Sequence, residues 1–172
     1  MNKLLIGLIL IFSSVLVFSQ TDELEVFVQE QNAKLEYNPN KLVVAPNTNV
    51  KMIPPEYFEA DESINGFVHR GSAATIQVVE INGVSYRDIS SSMTKEYIEA
   101  QNYIFKEKIN LQTATGKDAV IFFVEFTSGE MVYERAMFFT GEENTIWVNF
   151  NYPLNMKKLL YPAIEACLIS VE

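Results

Sequence analysis

The chain has 172 residues, of which 48% are hydrophobic and 12% aromatic, enough apolar material for a real core and a poor fit to disordered or collagen-like classes. Thirteen Lys and Arg stand against 22 Asp and Glu, a net charge of -9 with no basic run anywhere, which argues against a nucleic-acid partner because a phosphate backbone would be repelled. The length fits one domain rather than two.

Residues 1–19 read as a secretory signal peptide: Lys3 gives a charged start, Leu4 to Phe12 an apolar run, and Val17 and Ser19 suit a signal peptidase. Cleavage there leaves Gln20 as the new N-terminus of about 153 residues, with 12 cations against 22 acids and a net charge of -10. The apolar run of about 15 residues falls short of the roughly 20 that span a bilayer, so the cleaved product makes no stable membrane insertion. No Cys lies near the cleavage region to carry a lipid. The expected destination is the periplasm or the exterior. Cys167 is the sole cysteine, so no internal disulfide forms, and its place on an apolar helical stripe predicts a small buried hydrophobe rather than a reactive thiol.

Residues 20–40 form a polar, acidic spacer, with Asp22, Glu23, Glu25, Glu30 and Glu36 around a weak apolar group at Leu24, Val26 and Phe27. Residues 41–172 form the domain. Leu42, Val43 and Val44 open a strand. Val50 to Ile53 form another, stopped by Pro54-Pro55, which have no backbone donor. Tyr57 and Phe58 follow in a loop. Gly66 to His69 predict a short strand and Ala73 to Ile81 a longer one, closed by Asn82-Gly83. Thr94 is an N-cap for a helix through Tyr97, Ile98 and Gln101, and Tyr103 to Leu111 returns to alternation.

Three runs rich in aromatic and β-branched residues, Ala119 to Phe126, Met131 to Phe139 and Thr145 to Tyr152, predict an antiparallel meander. Pairing Phe126 with Met131, and Met137 with Trp147, sorts the side chains by period two. One face collects Ile121, Phe123, Val132, Ala136, Phe138, Ile146, Val148, Phe150 and Tyr152, with Glu134 as its one misfit. The opposite, mixed face carries Val120, Phe122, Val124, Tyr133, Arg135, Met137, Trp147, Asn149 and Asn151. From Leu154 onward, Leu160, Ala163, Ile164, Cys167, Leu168 and Val171 recur at helical spacing, with Lys157 and Lys158 turned outward. Pro162 kinks this helix or starts its main body.

The order of these elements is similar to that of a known family: a strand ending in Val50-Lys51-Met52-Ile53-Pro54-Pro55-Glu56-Tyr57-Phe58, then Gly66-Phe67, then Ala73-Ala74-Thr75-Ile76-Gln77-Val78, a helix, a meander and a terminal helix. The stretch from Lys41 to Glu172 resembles the PsbP-like fold, shared by the photosystem II extrinsic subunit, a Ran-binding import factor and many small secreted bacterial domains. The resemblance implies an α+β protein, an α/β/α sandwich around a mostly antiparallel sheet, used mainly as a non-catalytic binding or assembly module. Where the family usually ends the strand with Ile-Pro-x-Gly-Phe, this chain has Pro55-Glu56-Tyr57-Phe58 and no Gly. The family has no common ligand site, and no functional residue is carried over.

The residues themselves exclude several chemistries. His69 is the only histidine, which confines any Ser-His-Asp or Cys-His arrangement to one position as base, and no Gly-x-Ser-x-Gly elbow occurs. A zinc site has no second His or paired Cys to draw on. The acids Glu56, Glu59, Asp61 and Glu62 are dense enough to hold calcium but lack the spacing of an EF-hand loop, so they read as a solvated loop. Gly116-Lys117 lacks the Gly before it and the Ser or Thr after it that a phosphate loop requires. The expectation is therefore no enzyme and no cofactor.

The mixed face is the more informative side, because Tyr133, Arg135 and Trp147 are residue types enriched in binding hot spots. The blander expectation is that the helix from Thr94 to Gln101 covers it, leaving Met137 and Trp147 as a second core and Arg135 at its margin beside a carboxylate. The functional expectation is a secreted binding module that contacts a protein partner through Tyr57, Phe58, Tyr133, Arg135 and Trp147. The alternative is a carrier of a small apolar ligand held between sheet and helix, in a pocket lined by Phe122, Met137 and Trp147.

Overall fold

A computed structural model describes residues 37–172; the expected signal peptide and most of the acidic spacer lie outside the described residues. Nine strands are described: β1 (Val43–Val44), β2 (Lys51–Met52), β3 (Glu59–Asp61), β4 (Gly66–His69), β5 (Ala74–Ile81), β6 (Ile104–Gln112), β7 (Asp118–Ser128), β8 (Met131–Thr140) and β9 (Thr145–Pro153). Three α-helices accompany them: α1 (Tyr86–Ser92), α2 (Lys95–Ala100) and α3 (Lys157–Ile169). The last seven strands form one antiparallel sheet in the order β3-β4-β5-β9-β8-β7-β6, and β1 and β2 make a separate antiparallel ribbon. This is an α+β architecture, with α3 on one face of the sheet and α1 and α2 on the other.

Alternation builds the two layers. Ile121, Phe123, Ala136, Phe138, Val148, Phe150 and Tyr152 point to one side, where Ile164, Cys167 and Leu168 of α3 and Ala45, Val50 and Met52 of the ribbon close over them. Val120, Phe122, Val124, Met137 and Phe139 point to the other, beneath Tyr86 of α1 and Ile98 of α2. Both layers bury large apolar area, the main favourable term in folding. Gly66 permits the close approach of β4 to β5: a Cβ there would stand 1.8 Å from the carbonyl oxygen of Ile76.

Several expectations change. Phe126 pairs with Tyr133 rather than Met131, and Trp147 with Phe139 rather than Met137. Each displacement is two residues, so parity survives and the face assignments hold. Val132 is the exception, exposed because β8 runs past the end of β9 at Pro153 and nothing covers its tip. The helix α1 and the strand β3 arise from stretches that show no apolar period, Tyr86-Arg87-Asp88-Ile89-Ser90-Ser91-Ser92 and Glu59-Ala60-Asp61. Ser85 starts α1 by accepting from the Arg87 N–H, and β3 is held by its pairing with β4. Thr94 caps α2 as expected, its Oγ1 accepting from the Tyr97 N–H at 3.2 Å. The terminal helix contains Pro162 and starts five residues before it. Lys157 is not turned outward: its Nζ reaches Glu134 at 2.8 Å.

Candidate functional site

Two places on the molecule gather the residues expected to make contacts. The first is the turn Pro55-Glu56-Tyr57-Phe58, closed by a hydrogen bond from the Phe58 N–H to the Pro55 carbonyl at 3.2 Å. Tyr57, its third residue, has φ +67° and is 76% exposed. Turns with positive φ at that position favour Gly or Asn, which avoid the clash a Cβ makes there, so the tyrosine stands in the conformation that Gly would otherwise serve. Phe58 turns the other way. Its ring packs edge-on against Phe150 and lies 5.5 Å from the His69 ring, so it anchors the turn to the core while Tyr57 projects.

His69 ends β4 and is tied into its own turn. Its Nδ1 accepts from the Ser72 N–H at 3.1 Å and lies 2.6 Å from Ser72 Oγ, which itself accepts from the Ala74 N–H. Ser72 is buried, so this pair shapes the turn and offers no accessible nucleophile. The acids that read as a loop are dispersed: Glu59 lies 3.2 Å from Arg70, and Asp61 accepts from the Ser63 N–H. Among the described residues no three His, Cys, Asp or Glu side chains converge to hold a metal. Cys167 is buried, and burial pushes its thiol well above the usual range.

The second place is the mixed face. The helix α2 lies against β6 and α1 against β8 and β9, and Trp147 packs at the border, stacked 5.3 Å from Phe139 with its Nε1–H donating to Asn149 Oδ1 at 2.9 Å. Phe122 and Met137 are 1% and 2% exposed, so the residues that would line a carrier's pocket are packed against one another. Arg135 sits at the margin of the cover as expected, but its partners are not a carboxylate. Its Nε donates to Asn151 Oδ1 and its Nη1 to the Tyr103 hydroxyl, and Asn151 in turn donates to Thr75 Oγ1. The guanidinium lies 5.3 Å from the Tyr103 ring centroid and 5.0 Å from that of Phe126, on which Tyr133 stacks at 5.5 Å. The structure thus brings Tyr133 and Arg135 together and leaves Tyr57 apart, in the turn that precedes β3. Tyr103 and Phe126 were legible only as members of alternating runs, because their role depends on β6 and β8 flanking β7.

The opposite face holds one further group. Glu134 is fully buried, accepts a hydrogen bond from the Tyr152 hydroxyl and pairs with Lys157. Burial first, and this hydrogen bond second, push the Tyr152 phenol far above its ordinary range.

No family model matches the chain, and no curated protein matches it. Solved structures do. LpqN of Mycobacterium tuberculosis, described as involved in cell envelope biogenesis, is 10% identical over 71% of this chain and 81% of its own, with a TM-score of 0.54. Cyanobacterial PsbP (CyanoP) of Synechocystis sp. PCC 6803 is 10% identical over 80% of this chain and 95% of its own, with a TM-score of 0.51. A Bacteroides thetaiotaomicron protein is 15% identical over 77% of this chain and 47% of its own, with a TM-score of 0.50. The fold is PsbP-like, the class the order of elements resembles. Among the described residues no helix is long and apolar enough to cross a membrane.

Proposed function

We propose that the protein is a secreted, non-catalytic binding module of the bacterial envelope, a single domain over 41–172 that docks a protein partner through Tyr57. The observation that carries this reading is the turn itself. A tyrosine in the left-handed region costs roughly 1–2 kcal/mol, and this one projects into solvent. Strain of that kind at an exposed aromatic is expected where the side chain is used by a partner. The filled space between sheet and helices favours docking over carriage of an apolar small molecule, which needs room beside Phe122 and Met137. The envelope role described for LpqN is in keeping with this reading, as is the signal peptide expected over residues 1–19.

The test is site-specific photocrosslinking in a secreting host, with the photoreactive residue at position 57 and, as a control, at Lys95. A discrete adduct that forms from position 57 and not from position 95 is expected, and prior expression of an unlabelled chain should compete it away. Equal labelling from both positions would sink the docking reading.

A further inference from the structure

The chain has three arginines, and two of them are neutralised: Arg70 lies 3.2 Å from Glu59, and Arg87 lies 2.7 Å from Asp118 and 3.2 Å from Glu142. Arg135 has no carboxylate partner among the described residues, in a protein whose net charge is -9. It is nonetheless held in place by uncharged partners. Asn151 fixes Nε at 2.5 Å, the Tyr103 hydroxyl fixes Nη1 at 2.7 Å, and the guanidinium carbon lies 5.3 Å from the Tyr103 ring centroid and 5.0 Å from that of Phe126. Asn151 is itself held by Thr75 at 3.0 Å. Among the described residues no buried side-chain nitrogen lacks a hydrogen bond, so Nη2, which has no protein partner, reaches solvent.

A partly buried guanidinium without a counter-charge loses hydration and gains no Coulomb energy in return. Sealing the margin of the core would need only its stem and an aromatic contact. Fixing two of its nitrogens and leaving the third open is the arrangement of a preorganised receptor, because the orientation of the fork is settled before a ligand arrives. We propose that Arg135 is a ligand-binding residue that receives a carboxylate through its open N–H groups. The guanidinium matches the planar carboxylate in shape and charge, and the stacked rings of Tyr133 and Phe126 beside it favour an acid carried on a planar, apolar body over a tetrahedral phosphate. This site is independent of Tyr57: it stands or falls whether or not that turn docks a partner.

The whole secreted chain, labelled with ¹⁵N-arginine, tests this by NMR. Three Nε–H signals are expected, and Arg70→Lys and Arg87→Lys assign the third to Arg135 by elimination, without altering the site. Sodium benzoate is then titrated against sodium phosphate at matched ionic strength. The expected result is a saturable shift of the Arg135 signal with benzoate, half-complete on the order of 1 mM, where weak single-contact ligands fall, and at least tenfold weaker with phosphate. Tyr103→Phe keeps the ring and removes the hydroxyl, and should weaken benzoate severalfold while the Trp147 indole N–H, which reports the fold, stays in place. A shift that never saturates, or phosphate binding as tightly as benzoate, would overturn the assignment.

Discussion

Lys157 Nζ lies 2.8 Å from Oε2 of Glu134, and this contact seats the first residue of α3 on the sheet. The helix begins with two lysines, no acid in its first turn and no side-chain cap, an arrangement its dipole disfavours. The buried carboxylate supplies the missing negative charge beside Lys157, and it also accepts from Tyr152.

Removing either partner should therefore be costly and unequal. Glu134→Gln keeps an acceptor for Tyr152 and frees Lys157, whose side chain is 44% exposed, to return to water, at a cost of about 1–2 kcal/mol. Lys157→Met leaves a buried carboxylate without its cation and should cost about 3 kcal/mol. Urea denaturation of both variants and their combination checks this. A double variant less destabilised than the two single losses together shows the coupling, and simple additivity would contradict it.

Tyr57→Gly should raise stability by about 0.5–1 kcal/mol, since Gly adopts φ +67° freely but loses more entropy on folding. Tyr57→Ala retains the clash and should leave the midpoint nearly unchanged or lower it. Both variants lose the projecting ring and should lose binding to the partner that position 57 crosslinks. A Gly variant less stable than the Ala variant would show that the turn is not strained.

Ile98 is 1% exposed and packs into the layer between α2 and the sheet. Ile98→Ala should cost about 2–4 kcal/mol through lost burial and the cavity left behind. Thr94→Ala, which deletes the cap of the same helix, should cost about 1 kcal/mol. If Ile98→Ala costs no more than the cap variant, the second layer is a loose cover rather than a core.

The dependence on acid follows from Asp118, whose carboxyl is held below the usual range by the hydrogen bond from Gln112 first and by Arg87 second. A depressed folded-state pKa contributes stability above the unfolded value of about 3.9 and loses it as pH falls through the folded value. Asp118→Asn should therefore lower stability near neutrality, where the paired carboxylate contributes, and converge with the parent chain as pH falls below about 4, flattening the acid limb, which thermal melts across that range measure. An unchanged acid limb would show that the Arg87 cluster contributes nothing there.

Much of the fold was legible because period two and period 3.6 are local properties. The runs at 119–126, 131–139 and 145–152 declare their faces in the order of their residues, and a register error of two leaves those faces intact. Thr94 declares its helix by a side chain that satisfies an N–H three residues on. The helix α1 and the strand β3 were not legible, since a serine-rich turn and an acidic tripeptide take their form from neighbours distant in sequence.

By itself, the order of residues determined the two faces of the sheet, the closing helix and the class of fold, because each follows from which side chains avoid water at a fixed period. Only the tertiary structure decided that Glu134 would meet Lys157, that Tyr57 would take a left-handed backbone, and that Arg135 would lie against Tyr103 and Phe126 with no acid paired to it among the described residues. Each of these depends on which strands become neighbours and where one ends before the next, and a charge or a strained turn acquires its meaning only from what stands beside it in space.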